Sequence, residues 1–144
     1  MDEALAWTVR AAISDLITHY AALSDAGDWN ALAGLYTEDG RMSRPIAPDE
    51  FISGREAILA AFRSRPHRAS RHIVANIRVT LEGAARARAS SQVLLFSGTA
   101  DDGGGAPVLS AAPPLIGTYA DILVKSGSGW RFAERRGSLD FRNP

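Results

Sequence analysis

Hydrophobic positions recur at three- and four-residue spacing through the first part of the chain and at two-residue spacing through the rest. Leu5, Val9, Ala12, Ile13, Leu16, Ile17, Tyr20 and Leu23 share one side of a helix over residues 4 to 24. Asp25-Ala26-Gly27 supplies its stop, because glycine takes the left-handed turn, and Asp28 is placed to cap a second helix, DWNALAGLY. Trp29, Leu32, Leu35 and Tyr36 form the apolar side of that helix. TEDG at 37 to 40 reads as a turn and RMSRPIAP as a short strand and loop. Ser53 and Glu56 then have the spacing of a capping box for a third helix, GREAILAAFRS, ended by Pro66.

From His72 the period changes to two. In RHIVANIRVTL, Ile73, Ala75, Ile77, Val79 and Leu81 alternate with His72, Val74, Asn76, Arg78 and Thr80. Strands are predicted over 72 to 81, 86 to 98, 115 to 125 and 130 to 141, separated by glycine-rich turns such as EGAA and SGSG. Three helices followed by a four- or five-stranded antiparallel meander is an α+β pattern, with the helices on one face of the sheet. DDGGGAPVLSAAPP, residues 101 to 114, is the long low-complexity connection, expected as a loop.

The chain has 144 residues, enough for one domain with its own core. Its 16 basic and 16 acidic residues cancel, which leaves no general field to attract nucleic acid or an anionic membrane. The four arginines of FRSRPHRASRH suit a helix end and a solvated loop better than a nucleic-acid surface, which needs basic excess over a whole face with stacking aromatics; placed at a cavity mouth they would attract an anionic substrate. With no cysteine, thiolate metal sites, disulfides and cysteine nucleophiles are excluded. No metal is expected, since histidine and acidic spacing offers no ligand set, and no cofactor motif is present. The acidic N-terminus lacks a signal-peptide pattern, and no apolar run approaches the ~20 residues that span a bilayer, so a cytoplasmic location is expected.

YAALSDAGDWNALAGLYTEDG, GREAI, RHIVANIRV and GTYADILVKSGSGWRFAERR together resemble the SnoaL-like branch of the nuclear-transport-factor-2 (NTF2-like) superfamily. The likeness runs from about residue 10 to 140 and implies a cone, in which a strongly curved, mostly antiparallel sheet wraps the helices around an apolar cavity. The superfamily includes scytalone dehydratase, bile-acid dehydratases, hexachlorocyclohexane dehydrochlorinase, polyketide cyclases and the non-catalytic small subunits of aromatic-ring dioxygenases. One fold hosting so many activities leaves function to the site residues.

In the dehydratases and the dehydrochlorinase, an aspartate at the end of the first helix orients a histidine on the strand after the third helix, and the resemblance places Asp25 and His72 there. A tyrosine five residues before the aspartate in bile-acid dehydratases is matched by Tyr20. Three features depart from the pattern. ASSQVLL lacks the second histidine of scytalone dehydratase, Met42 or Ser43 stands where a second tyrosine is expected, and only Arg135 and Arg136 lie near the place of a leaving-group arginine.

On the residues alone, Asp25 sits where helix carbonyls repel a carboxylate, so it needs a donor partner. An imidazole held in one tautomer by a carboxylate is what proton abstraction requires, and histidine titrates near neutral pH. Tyr20 lies ~140° around an ideal helix from Asp25 and suits the buried stripe equally well as a core residue. If the His72 face looks inward, Asn76 is placed to bind a ligand oxygen and Tyr119 to reach the cavity, while Asp121 pairs with an arginine of the neighbouring strand. His19 and His67 have no matched partner.

These features give two expectations. One is a cofactor-independent lyase or isomerase acting on a small, largely apolar carbonyl or aromatic compound, with His72, Asp25 and Tyr20 as catalytic residues and Asn76 and Tyr119 binding substrate. The other is a non-catalytic ligand-binding or accessory protein with the same cone. Apolar residues on both faces of strand 115 to 124 add the expectation of a homodimer through the outer face of the sheet.

Overall fold

The computed structural model describes residues 1–66 and 68–144; His67 lies outside the described residues. Helix α1 spans Glu3–Ala26, and α2 covers Trp29–Ala33. Strands β1 (Tyr36–Arg44) and β2 (Ala47–Ser53) precede α3 (Arg55–Arg63). The remaining strands are β3 (Ala69–Leu81), β4 (Arg86–Thr99), β5 (Val108–Leu109), β6 (Leu115–Ser126) and β7 (Gly129–Leu139).

Val9, Ile13, Ile17, Tyr20 and Ala21 are the buried positions of α1, while Leu5 at the start of the predicted stripe is half exposed. Gly27 ends the helix at φ 70°, its N–H bonding back to Ser24, and the Asp28 carboxylate accepts from the Ala31 N–H as the cap of α2. The second helix stops three residues short of Tyr36. Phe132 donates its N–H to the Leu35 carbonyl at 2.8 Å, which draws the chain into the sheet.

TEDG is consequently strand rather than turn, and RMSRPIAP with the residues after it forms the β1–β2 hairpin. The capping box is also absent. Gly54 caps α3 at φ 98° with no side-chain bond, because Ser53 pairs with Arg41 in the hairpin and the Gly54 N–H is taken by the Gly40 carbonyl.

The sheet order is β2-β1-β7-β6-β4-β3, with β5 paired to β4 inside the segment expected as a loop. The predicted strands form the antiparallel run β3-β4-β6-β7, and β1 adds to it parallel to β7. Helices cover one face of this curled, unclosed mixed sheet. Ile13, Ile17, Leu32, Tyr36, Ile58, Leu123 and Phe132 are fully buried at the centre.

Two bulges reset which side chains look inward. The β3 register breaks between Ala75 and Arg78, where Asn76 takes φ 54°, a left-handed conformation that asparagine tolerates better than most residues. His72 and Val74 face the helices before the break, and Ile77, Val79 and Leu81 after it. Strict alternation over 72 to 81 therefore fails, and Asn76 is exposed. A second break, between Ile122 and Leu123 of β6 against β7, puts Arg135 inward where alternation from Phe132 would place Glu134.

Candidate active site

Asp25 stands in the last turn of α1, with only 9% of its side chain exposed. Its Oδ1 accepts from Ser70 Oγ at 2.9 Å and lies 2.6 Å from His72 Nδ1; its Oδ2 accepts the backbone N–H of His72 at 2.9 Å. Three donors thus offset the poor electrostatics of a carboxylate at a helix C-terminus. With Asp25 accepting from Nδ1–H, the neutral imidazole presents Nε2 as its basic nitrogen.

His72 lines two adjoining cavities. The inner one, about 50 Å³, is also bounded by Tyr20, Tyr36, Met42, Phe62 and Arg135. The outer one, about 600 Å³, is lined in part by Trp29, Val93, Leu95, Pro113 and Leu115. Arg44, Arg65 and Tyr119 border both. The outer volume falls within the ~300–1,000 Å³ of small-molecule pockets, and its walls combine apolar surface with a few polar groups.

The inner floor is aromatic and cationic. Tyr20 and Tyr36 share a 2.9 Å hydroxyl–hydroxyl hydrogen bond, and Phe132 packs edge-on to Tyr20. Burial pushes the Tyr20 hydroxyl up to about 12 and raises Tyr36 and Tyr119 as well, so all three stay neutral donors around neutral pH. Arg135 lies 3.8 Å from the centroid of Tyr119 and 4.4 Å from that of Tyr20, and its Nε donates to Asp121 Oδ1 at 3.0 Å. Burial pushes the Asp121 carboxyl up to about 6 against the pull of that guanidinium. For Arg135, burial opposes the charge, but Asp121 and the tyrosines outweigh it and hold the arginine more firmly protonated than usual.

Asp25 and His72 are brought together, and Tyr20 and Tyr119 face the same cavity system as His72. Tyr20 and Asp25 do not converge, because α1 runs unbroken to Ala26 and each side chain has its own partner. Asn76 is a correction: the bulge turns it outward, and it borders neither cavity. The pairing expected of Asp121 is made by Arg135. Sequence reasoning missed Tyr36, Ser70, Arg44 and Arg135 as site residues, and it singled out Arg65 only as one of a group of loop arginines. For Arg135 the available signal, period-two alternation, points to the wrong neighbour because of the bulge.

Among the described residues, no cluster of three histidine or acidic side chains could hold a metal, and no helix is long and apolar enough to cross a membrane.

The SnoaL-like domain model matches residues 6–136. No curated protein matches the sequence. An NTF2-like protein with a cystatin-like fold from Novosphingobium aromaticivorans is similar at 25% identity and TM-score 0.76, over 93% of this chain and 83% of that one. A candidate scytalone dehydratase from the same organism superposes at TM-score 0.80 and 22% identity, covering 97% and 89% of the two chains. A candidate dehydratase of the NTF2-like family from Streptomyces avermitilis does so at 0.77 and 14% identity, covering 94% and 99%. With nearly the whole length matched and the same curled architecture, the chain belongs to the SnoaL-like family of the NTF2-like superfamily.

Proposed function

We propose that this chain is a cofactor-independent lyase or isomerase in which His72 removes a proton from a small, largely apolar carbonyl or aromatic compound. The observation that carries the reading is the Asp25–His72 pair, 2.6 Å apart, with the imidazole on the wall of a cavity large enough for such a ligand. Asp25 holds the tautomer and stabilises the imidazolium that forms on proton transfer. Tyr20, supported by the Tyr36 hydroxyl, and Tyr119 are neutral donors for the substrate oxygen on which charge develops. The dehydratase names of two structures sharing the fold are in keeping with this chemistry.

A second reading, a non-catalytic ligand-binding or accessory protein, is favoured by one observation. His72 is the sole histidine bordering either cavity among the described residues. We assign the assembly as a homodimer through the outer sheet face, where the partly covered Leu94, Phe96 and Ile116 lie beside the half-exposed Ile73.

Proton exchange separates the two readings. The wild-type chain in deuterium oxide is expected to accelerate α-hydrogen exchange of 2-tetralone, followed by proton NMR, and His72→Ala to abolish that acceleration while binding is retained. Binding of the ketone with no catalysed exchange would leave the accessory reading standing.

A further inference from the structure

Of the arginines that border the cavities, Arg135 is paired and Arg68 is exposed to solvent, and others farther out are paired too. Arg135 has Asp121, Arg41 has Glu134, and Arg55 donates twice to the Tyr36 carbonyl. Arg44, at the end of β1, and Arg65, just after α3, are different. Arg44 Nε and both Nε and Nη2 of Arg65 are buried with no hydrogen-bond partner among the described residues, and neither guanidinium meets a carboxylate.

Buried donors on a charged group are expensive to leave unsatisfied. Repulsion adds to the cost here, because burial and then the charge of Arg44 push the Arg65 guanidinium below its ordinary value. Arg65 is held in place by stacking on Phe62, 4.4 Å from the ring centroid. The carboxylate that faces His72, Asp25, is already committed to Ser70 and His72. Two uncompensated cations therefore share the wall that joins the inner and outer cavities.

We propose that Arg44 and Arg65 form an anion subsite that takes the carboxylate of an apolar, aromatic acid, whose body lies among Trp29, Val93, Leu95 and Leu115 with a reacting carbon toward His72. Guanidinium groups match a carboxylate in plane and in donor spacing, and their charge is undiminished at any physiological pH. The apolar walls favour a flat hydrocarbon body over a heavily hydrated one such as a sugar phosphate. This assignment rests on the cavity being the substrate site and narrows the substrate from apolar carbonyl compounds in general to those that also carry a carboxylate.

Calorimetric titration with 2-naphthoate and 2-naphthamide, equal in shape and different in charge, tests it. The acid is expected to bind on the order of tenfold or more tighter than the amide. Arg44→Met and Arg65→Met should each reduce that preference and together erase it, Arg65→Lys should keep part of it, and Arg71→Gln, outside both cavities, should leave it unchanged. A role in ligand binding rather than in folding also predicts that Arg65→Met melts no lower than wild type without ligand, since it removes unsatisfied donors and a repulsion. Naphthoate binding no tighter than the amide, including no binding of either, would overturn the assignment. So would a folded double variant that keeps the preference, or a marked loss of stability in Arg65→Met. The preference should survive His72→Ala, so a preference left intact while neither 2-tetralone nor a carboxylate-bearing tetralone exchanges counts against the lyase reading alone.

Discussion

Asp25 binds His72 twice, accepting the ring Nδ1–H at one carboxylate oxygen and the backbone N–H of the same residue at the other. A helix end is thereby tied to a strand start 47 positions along the chain, and the imidazole can neither rotate nor shift without breaking a charge-assisted bond. Such fixing of ring and tautomer suits a base that must meet its substrate in one geometry.

Asp25→Ala orphans three donors and is expected to lower stability by about 2–3 kcal/mol, or on the order of 6–10 °C in melting temperature. Ser70→Ala, which removes one of the three, should cost about 1 kcal/mol. Because the two residues are in contact, the double variant should cost less than the sum. Thermal melts of the three variants check this, and additive losses would contradict it.

The three tyrosines, Tyr20, Tyr36 and Tyr119, are all raised by burial above the ordinary value near 10, Tyr20 to about 12. The folded state thus holds protons that the unfolded chain releases above pH ~10. Their contribution to stability is complete below that pH and is lost as pH rises toward 12 and beyond. A titration of tyrosinate absorbance near 295 nm should show little phenolate at pH 10, where free tyrosine is half ionised, and then a cooperative rise coinciding with loss of secondary structure. Independent tyrosine ionisation near pH 10 in the folded protein would count against the buried hydroxyl network.

Asp121 and Arg135 form a fully buried ion pair. Asp121→Asn or Arg135→Met leaves one charge or donor set uncompensated and should cost about 3–5 kcal/mol each in urea unfolding, while the double variant recovers much of the loss. Arg135→Lys should recover little of that stability, since a compact ammonium cannot keep the fork to Asp121 and also stack on Tyr119.

Asn76 gives a negative test of the site. Asn76→Gly should change neither ligand binding nor stability appreciably, whereas Asn76→Val, a β-branched residue forced to φ 54°, should cost about 1–2 kcal/mol with ligand affinity unaltered. A substantial loss of affinity in Asn76→Gly would return this residue to the cavity.

By itself the sequence determined what depends on short-range pattern. The 3.6-residue period of α1, the left-handed stop at Gly27, the Asp28 cap and the two-residue period of β3, β4, β6 and β7 each arise from neighbours a few positions apart. The placement of Asp25 at a helix end and His72 at a strand start came from the same local reading, together with a resemblance that spans the chain.

Tertiary structure decided whatever depends on partners far along the chain. Leu35 and Tyr36 leave the helical pattern because β7 offers the Leu35 carbonyl a donor, and TEDG becomes strand because β1 can pair with β2 on one edge and β7 on the other. The bulges matter most for the site. One extra residue in a strand inverts every later side chain, so Asn76 was sent to solvent and Arg135 to the centre by pairing registers that alternation alone cannot reveal. Arg44 and Arg65 belong to the same class, two arginines far apart in sequence that share one cavity wall without a carboxylate partner only once the fold has placed them there.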